Sequence, residues 1–300
     1  MTQPTIAKIC ALAAGILVLP SVSFAGVAAK EAKPIVEQVK ESCISGDLGI
    51  NVVSQYISRG SIFENQGAII QPYADLYFKL YEGDGFVNKV SLALGIWNSF
   101  HSRKTDAGLV SGGTSSTRSW YEFDFTAGVA ITFAKNFTFT PSYFTFLSPN
   151  DGFATFQGLN LALAYDDSDA LGKFALHPKV QVLFELENKN DGSDRDEGIY
   201  YEVSIAPALP AYGDLTVSFP IVAGFGSNDF YAGDQGFGFV SGGVNLAYAM
   251  AFMPECYGSW TASASATYYY LGDALKGYNP GVRDSDESEV IFSGGLGVAF

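Results

Sequence analysis

The stretch from Tyr121 to Phe133 carries an apolar side chain at every odd position, seven in succession. Polar or small residues, among them Glu122, Asp124 and Thr126, fill the even positions. A period of two with unlike faces indicates a β-strand. The core of a globular protein does not need so long an apolar row on one strand, whereas a lipid bilayer does. The pattern therefore predicts a strand that crosses a membrane.

The chain ends on another strand of this kind. Counting back from Phe300 in twos meets Val298, Leu296, Gly294 and Phe292, with small residues between them. Proteins of the bacterial outer membrane usually end on such a strand with an aromatic last residue, which their assembly machinery recognises. We therefore expect Phe300 to act as the insertion signal and the barrel assembly machinery to be a partner.

The first residues have the layout of a secretory signal peptide. Lys8 precedes an apolar run from Ile9 to Leu19, and Ser23-Phe24-Ala25 offers small residues where a signal peptidase requires them. The run is shorter than the roughly 20 apolar residues that a membrane-spanning helix needs. The predicted organisation is a signal peptide at 1–25, a periplasmic segment (short helix or tail) at 26–43, and an outer-membrane barrel at 44–300.

The composition agrees with a membrane barrel. Aromatic residues make up 15% of the chain and charged residues only 16%, against about 25% charged residues in ordinary soluble proteins. Few charges and many aromatic residues are typical of a barrel whose outer surface meets lipid and whose rims carry aromatic girdles. The net charge of −14 argues against nucleic acid as a partner, because no basic patch is available for phosphates.

Alternation of this kind recurs along the chain and predicts an all-β fold, a transmembrane antiparallel up-and-down β-barrel of about 12 strands. The connections after even-numbered strands are mostly the shorter ones, as expected when both termini lie in the periplasm. A secreted β-sandwich is the alternative, but its strands are shorter, near 5–6 residues. The predicted strands are 47–58, 69–81, 89–100, 120–133, 137–147, 157–165, 178–187, 199–206, 214–222, 239–251, 259–271 and 289–300.

A short motif lies where the first predicted strand ends. The pattern S-x-Y-x-x-R-G falls on Ser54, Tyr56, Arg59 and Gly60, and a glutamine-glycine pair follows at 66–67. This opening resembles that of the TorF-like family of small outer-membrane porins. The resemblance covers the start of the barrel and implies a poorly characterised porin without a known substrate. The chain departs from the family by the extra segment 26–43.

Charged residues on the predicted inward rows suggest the character of the lumen. If they face inward, the wall is net negative, and rings of carboxylates favour cations. The alternative is that these groups hydrogen-bond across a filled, sealed lumen, because twelve strands lie between the filled eight and the open sixteen. The predicted lumen-facing residues are Asp75, Lys79, Glu122, Asp124, Lys179, Glu185, Glu187 and Glu202.

The inward rows also differ in size around the barrel. The last three predicted strands offer small residues, whereas the opposite wall carries aromatic rings. Small residues leave room for water and solute, or for residues 26–43 to lie against them. The small residues are Ser241, Gly243, Asn245, Thr261, Ser263, Ser265, Thr267, Ser293, Gly295 and Gly297; the aromatic ones are Tyr73, Tyr77, Trp97, Phe144, Phe146 and Tyr200.

Candidates for catalysis are few, since the chain has two histidines. Ser99 and His101 lie at the outer end of a predicted strand, where a lipid hydrolase could place them, with Glu122 or Asp124 to orient the ring. No donor for an oxyanion can be named. We therefore expect no enzymatic activity, no cofactor and no metal site.

Cys43 and Cys256 are the cysteines that remain after signal removal. The compartment is oxidising, and both residues are expected on the periplasmic side, two to three strands apart. The sequence therefore predicts a disulfide between them, with two free thiols as the alternative.

Together these features predict an outer-membrane channel for passive diffusion of small hydrophilic solutes with some preference for cations. Its surroundings would be outer-membrane lipid and lipopolysaccharide. A sealed structural or surface-interaction barrel and a rim-site lipid hydrolase are the alternatives.

Overall fold

The computed structural model describes residues 42–103, 119–188, 197–227, 229–231, 236–276 and 287–300. The predicted signal peptide and residues 26–41 of the following segment lie outside the described residues. The strands are β1 Ile44–Val53, β2 Tyr56–Ser58, β3 Ser61–Glu64, β4 Ile69–Glu82, β5 Val87–His101, β6 Trp120–Phe133, β7 Phe137–Leu147, β8 Phe156–Tyr165, β9 Lys179–Glu187, β10 Ile199–Ile205, β11 Leu215–Ser218, β12 Ile221–Gly226, β13 Phe237–Ala249, β14 Ser259–Leu271 and β15 Ser288–Ala299. Short helical turns lie at Ser168–Leu171, Gly172–Phe174, Glu255–Tyr257 and Asp273–Lys276.

These strands form a closed antiparallel barrel. Each wall strand pairs with its neighbour along the chain, and β1 closes the barrel against β15, from Asp47 opposite Ala299 to Val53 opposite Ser293. β11 and β12 both pair with β13 and act as one barrel strand, interrupted near Pro220, which has no N–H to donate. The prediction of a twelve-stranded antiparallel β-barrel is confirmed.

Most predicted strand boundaries agree with the structure to within two residues, and two strands differ by more. The ninth predicted strand, 214–222, extends to Gly226, because Gly224 and its neighbours pair with β10 and β13. The first predicted strand, 47–58, stops at Val53 as a wall strand. Ser54 continues the pairing with β15 by one residue, since its N–H donates to Phe292 O at 2.9 Å and its hydroxyl accepts from Phe292 N at 2.9 Å. The chain then leaves the wall.

The two ends of the barrel differ in their connections. At the terminal end, where β1 begins and β15 ends, the turns 83–86 and 134–136 are short. At the opposite end, here called the loop end, the connections include 102–119 and 272–287. The backbone of Phe300 is part of the wall at the terminal end, because it exchanges two hydrogen bonds of 2.9 Å with Gly46.

The outward rows are apolar and lie between aromatic belts. Leu48, Ile50 and Val52 on β1, like Val244 and Leu246 on β13, are exposed. Such a continuous apolar surface is the one that a barrel presents to lipid. At the terminal end, Phe86, Phe133, Phe137 and Tyr165 form a chain of rings with centroids 5.6, 5.7 and 4.7 Å apart; at the loop end, Phe100 stacks on Trp120 at 5.8 Å. Within the described part of the chain, no helix is long and apolar enough to cross a bilayer.

Candidate functional site: the lumen and its inward hairpin

The segment after β1 folds into the barrel as a small hairpin. β2 and β3 pair with each other and form a two-stranded sheet separate from the wall. The hairpin is almost completely buried: Tyr56, Ile57 and Ile62 are 0%, 1% and 3% exposed. An isolated two-stranded hairpin is not stable in water. The surrounding barrel wall therefore supplies the packing that keeps the inward hairpin, residues 56–64, folded.

The tip of the hairpin is a two-residue turn made by Arg59 and Gly60. Both have positive φ angles, 49° and 85°, and they connect Ser58 to Ser61, which face each other across the hairpin. Two successive residues of this conformation form the tight turn that matches the twist of a hairpin, and glycine adopts it without strain. The arginine and glycine of the S-x-Y-x-x-R-G motif are thus turn residues.

Aromatic side chains anchor the base of the hairpin. The Tyr56 ring lies 5.2 Å from Phe63, 5.4 Å from Trp97 and 6.3 Å from Tyr121, as measured between centroids. Trp97 and Tyr121 belong to β5 and β6, so the hairpin packs against this side of the wall. The Tyr56 hydroxyl also donates a 2.8 Å hydrogen bond to Glu122 Oε2.

The tip reaches the opposite side of the barrel. A Cβ atom at Gly60 would collide with Leu275, and it would lie 3.0 Å from Phe239 Cδ1. The Arg59 carbonyl accepts a 2.9 Å hydrogen bond from the Tyr231 hydroxyl. Phe239 lies near the start of β13, and Leu275 lies in the helical turn that follows β14. The hairpin therefore spans the lumen from β5 and β6 to the side of β13 and β14. It therefore narrows the lumen close to the loop end.

The remaining inner wall has two unlike halves. On β5 to β10 most inward side chains are buried and packed, with Trp97, Phe144, Phe146, Phe156 and Tyr200 in one aromatic cluster that includes the hairpin. On β14, β15, β1 and β4 several inward side chains are exposed or half-buried, which means that solvent reaches them within the barrel. This accessible strip consists of Asp47, Gly49, Asn51, Tyr73, Asp75, Tyr77, Lys79, Ser263, Ser265, Thr267, Ser293 and Gly295.

Most of the charged residues assigned to the lumen lie on inward rows. Glu122 and Asp124 are buried on β6, Glu185 on β9 and Glu202 on β10, while Asp75 and Lys79 on β4 and Lys179 on β9 are half-buried. Three of the carboxylates have structural partners. Glu122 accepts from Tyr56, Glu185 accepts from Gly198 N at 2.8 Å, and Glu202 accepts from the Tyr200 hydroxyl at 2.7 Å.

Glu187 does not belong to the inward row. Its carboxylate accepts a hydrogen bond from Gln157, whose amide oxygen accepts from the exposed Tyr143 hydroxyl at 2.6 Å. The β8–β9 register shifts between Gln157 and Gly158. This β-bulge breaks the period of two, so the side chain of Glu187 lies with the outward residues at the rim.

Ser99 and His101 are in contact, but not at a lipid-facing rim. Ser99 Oγ and His101 Nε2 are hydrogen-bonded at 2.9 Å, and His101 Nδ1 lies 3.9 Å from Glu64 Oε2 of the hairpin. The His101 ring stacks on Tyr121 at 4.4 Å. Ser99 has no exposed surface, whereas a nucleophile needs access to its substrate. The group packs the hairpin against the wall.

A group of three potential metal ligands lies in the connection from β8 to β9. The donor atoms of Asp166, Asp167 and His177 lie within 4.8 Å of one another. Asp167 already accepts the N–H groups of Leu176 and His177 at 2.9–3.0 Å, and Asp166 accepts that of Ser168 at 3.0 Å. These hydrogen bonds stabilise the turn, and they explain why the three side chains lie close together.

The predicted disulfide is absent. Cys43 and Cys256 are both exposed free thiols. The carbonyl of Cys43 accepts from Lys79 N at 2.8 Å, which places Cys43 beside β4, on the flank of β1 away from β15. Cys256 lies in the turn Glu255–Tyr257 just before β14, and β1 and β15 separate β14 from β4. At about 4.8 Å per strand, this separation exceeds the roughly 7 Å between Cα atoms that a disulfide allows.

The structure adds three residues that the sequence pattern does not single out for the lumen. Asp47 lies directly opposite Asp75 on the inward face of β1 and β4. Glu64 accepts the N–H groups of Asn65 and Gln66 and closes the hairpin. Arg59 is indicated by the motif alone. The arginine-glycine pair is a signal for a turn, because glycine is favoured where φ is positive.

Comparison with known proteins yields likenesses of fold. No protein-family model matches the chain, and no curated protein matches it in sequence. The chain is similar to a solved structure of the NanC porin (15% identity, 84% of this chain and 98% of that one, TM-score 0.43). It is also similar to the COG4313 outer membrane channel from Pseudomonas putida F1 (10%, 90% and 100%, 0.49) and to outer membrane phospholipase A from Escherichia coli (13%, 85% and 92%, 0.43). None of these likenesses assigns a function to this chain.

Proposed function

We propose that the protein is an outer-membrane channel that passes small hydrophilic solutes by passive diffusion and prefers cations. The observation that carries this proposal is the accessible strip of β14, β15, β1 and β4. It is lined mostly by small and polar side chains, with Tyr73 and Tyr77 among them, and its charged members are Asp47, Asp75 and Lys79. It lies beside a wall that is mostly packed. Porins conduct through a polar, water-filled interior of this kind. The resemblance of residues 54–67 to TorF-like porins supports the same function.

The outer surface supports the location. An apolar band between two aromatic belts fits a bilayer, and the short turns favour the terminal end as the periplasmic side. In this orientation Phe300 lies at the periplasmic rim, with its ring exposed. There the barrel assembly machinery can recognise it after the signal peptide at 1–25 has directed export. Lipid would contact the apolar band, and lipopolysaccharide would surround the loop end.

Cation preference is best assigned to Asp47 and Asp75. They are directly opposite each other on neighbouring strands, and both face the accessible strip. Like charges in this arrangement are destabilising, so a nearby cation lowers the energy of the pair. Tyr77 donates a 3.2 Å hydrogen bond to Asp47 Oδ2, which orients that carboxylate. Glu185 is buried on β9, away from the accessible strip, and therefore contributes less to the field along the solute path.

The reversal potential of single channels in a salt gradient tests this proposal. We expect the double variant Asp47→Asn/Asp75→Asn to move the reversal potential toward the anion side. Glu185→Gln, whose carboxylate accepts the Gly198 N–H at the loop end, is the control and should leave it close to that of the unmodified channel. An unchanged reversal potential in the double variant would remove Asp47 and Asp75 from the conduction path.

A sealed barrel is the second candidate, because the inward hairpin buries Tyr56 and Ile57 completely or nearly so. In that case the loop-end connections would be the working surface. The two functions differ in one measurable property. A sealed barrel passes no ionic current when it is correctly folded in a bilayer, whereas a channel gives stepwise current.

A further inference from the structure

The side chain of Arg59 lies among three aromatic rings of the barrel wall. Its Cζ atom is 5.3 Å from the centroid of Phe146, 5.5 Å from that of Phe144 and 5.9 Å from that of Tyr200. A guanidinium within about 6 Å of an aromatic face is attracted by the ring quadrupole. The three rings, here called the aromatic cage, belong to β7 and β10, whereas the cation comes from the hairpin.

The aromatic cage is held in place by the wall. Phe144 and Phe146 pack on Phe156 at 5.7 and 5.2 Å between centroids. A side chain at position 158 would collide with the Phe144 ring, so Gly158 makes room for it. The Tyr200 hydroxyl is fixed by Glu202. None of these contacts involves Arg59, so the cage is preorganised without it.

A buried carboxylate lies beside the cage. Asp124 is directly opposite Phe146 in the β6–β7 register and has no exposed surface. Neither of its carboxylate oxygens accepts a hydrogen bond from the described residues. The strongest electrostatic interaction of Asp124 is with Glu122, two residues away on the same inward row, and both carboxyl groups also interact with Arg59. Aromatic faces combined with a desolvated carboxylate are what an organic cation requires, whereas a hard metal ion requires several oxygen ligands.

We propose that the aromatic cage and Asp124 form a binding site for organic cations with a guanidinium or alkylammonium group, and that Arg59 occupies this site as an internal ligand. The inference deepens the proposed cation-preferring channel and rests on it for its biological role. Solutes of this class would compete with Arg59 for the cage, and the hairpin would be the element that they displace. The planar guanidinium suits the site best, because it stacks on aromatic rings and is weakly hydrated.

The way in which the hairpin is attached allows Arg59 to leave the aromatic cage. β2 and β3 are not hydrogen-bonded as strands to the wall, and the barrel closes without them through β1 and β15. Removal of the Arg59 side chain therefore leaves the cage and the barrel in place. Asparagine is the suitable replacement, because it tolerates the left-handed backbone conformation of this turn position.

Calorimetric titration of the folded, detergent-solubilised barrel tests the site directly. Guanidinium chloride at millimolar concentration is the probe, and urea, which has a similar shape and no charge, is its control. We expect Arg59→Asn to bind guanidinium at least about tenfold more tightly than the unmodified protein. Arg59→Lys, which keeps a cation in the cage, should bind as weakly as the unmodified protein. Equal titrations of Arg59→Asn and the unmodified protein would overturn the proposal.

Two further variants separate the cage from unspecific binding. Arg59→Asn combined with Phe146→Leu, or with Asp124→Asn, should lose the gained affinity while the protein still shows the heat-modifiable mobility of a folded barrel. Binding of guanidinium that survives both changes would also overturn the proposal. Calorimetry does not depend on ionic current, so it separates failure of the binding site from failure of the proposed channel. If the site is absent, no heat of binding is measured. If only the channel is absent, the heat of binding is still measured in a barrel that does not conduct.

Discussion

Tyr56 and Glu122 join the inward hairpin to the barrel wall by a 2.8 Å hydrogen bond between buried side chains that are 66 residues apart in the chain. Tyr56 has no exposed surface, and Glu122 is 3% exposed. The bond fixes the base of the hairpin against β6, while Gly60 packs near β13 and Leu275 at the tip. The position of the constriction in the lumen depends on these two contacts.

Tyr56→Phe should destabilise the folded barrel. The variant keeps the ring contacts but leaves Glu122 without its hydroxyl donor, which costs about 1–3 kcal/mol for a buried acceptor. Tyr121→Phe is the matched control, since the Tyr121 hydroxyl is equally buried and has no hydrogen-bond partner among the described residues. Urea unfolding in detergent, followed by heat-modifiable mobility, gives the free energies. Equal losses for the two variants would show that the bond contributes nothing.

Gly60→Ala should disturb the hairpin more than a glycine substitution elsewhere. Gly60 combines a φ of 85° with close contact to Leu275 and Phe239. Gly213 has a φ of 59°, and a Cβ atom added there would meet nothing within 4 Å, so Gly213→Ala measures the backbone strain alone, about 1–2 kcal/mol. Overpacking adds about 1–3 kcal/mol at Gly60. The prediction fails if both alanine variants lower the free energy of unfolding equally.

The two faces of β14 should respond differently to arginine. Ala264 is exposed on the outward face near the middle of the strand, and Ser263 is exposed on the inward face. Ala264→Arg places a charge in the bilayer and should lower the free energy of unfolding by about 2–4 kcal/mol near its midplane. Ser263→Arg meets the water of the lumen and should cost far less. Similar losses at the two positions, measured in lipid vesicles, would contradict the barrel orientation.

Asp167 gives a pH-dependent contribution in the connection from β8 to β9. Burial opposes its ionisation, but the N–H groups of Leu176 and His177 outweigh burial and lower the pKa of the Asp167 carboxyl. A lowered pKa in the folded state means that the stabilisation is present above the ordinary aspartate pKa, near 4. The stabilisation is lost as the pH falls through the folded-state value.

Asp167→Asn should therefore lower the free energy of unfolding at pH 7 by about 1–3 kcal/mol. The difference from the unmodified protein should shrink when the pH is brought below about 4. Asp84→Asn, in the exposed turn 83–86, serves as the control and should have little effect at either pH. A difference for Asp167→Asn that stays constant from pH 7 to pH 3 would rule out the carboxylate as its origin.

The wall of the barrel is predictable from the sequence because lipid and lumen impose opposite requirements on successive residues. The alternation in 120–133, 137–147 and 259–271 predicts strand boundaries that the structure reproduces. A bulge is invisible to a strict period of two, and for this reason the pattern places Glu187 on the wrong face. The sequence predicts a disulfide between Cys43 and Cys256 only because both lie at the same end of the barrel. The position of Cys43 is set by backbone pairing with β4, which the sequence pattern does not reveal.

The inward hairpin is not predictable from alternation. Residues 54–58 continue the alternation of β1, so the pattern predicts that β1 extends through them. The arginine-glycine turn reverses the chain, and burial of Tyr56 and Ile57 against Trp97 and Tyr121 is a tertiary contact that local pattern does not encode. The S-x-Y-x-x-R-G motif falls largely on residues of the hairpin, but the motif does not indicate that they leave the wall.

Single-channel recording in a planar bilayer tests the central claim most directly, namely that a solute path remains open beside the inward hairpin. The purified protein, shown to be folded by its heat-modifiable mobility, should give steady stepwise currents in potassium chloride, carried mainly by cations. Silence across many verified insertions would contradict a channel and leave a sealed barrel as the function of this fold.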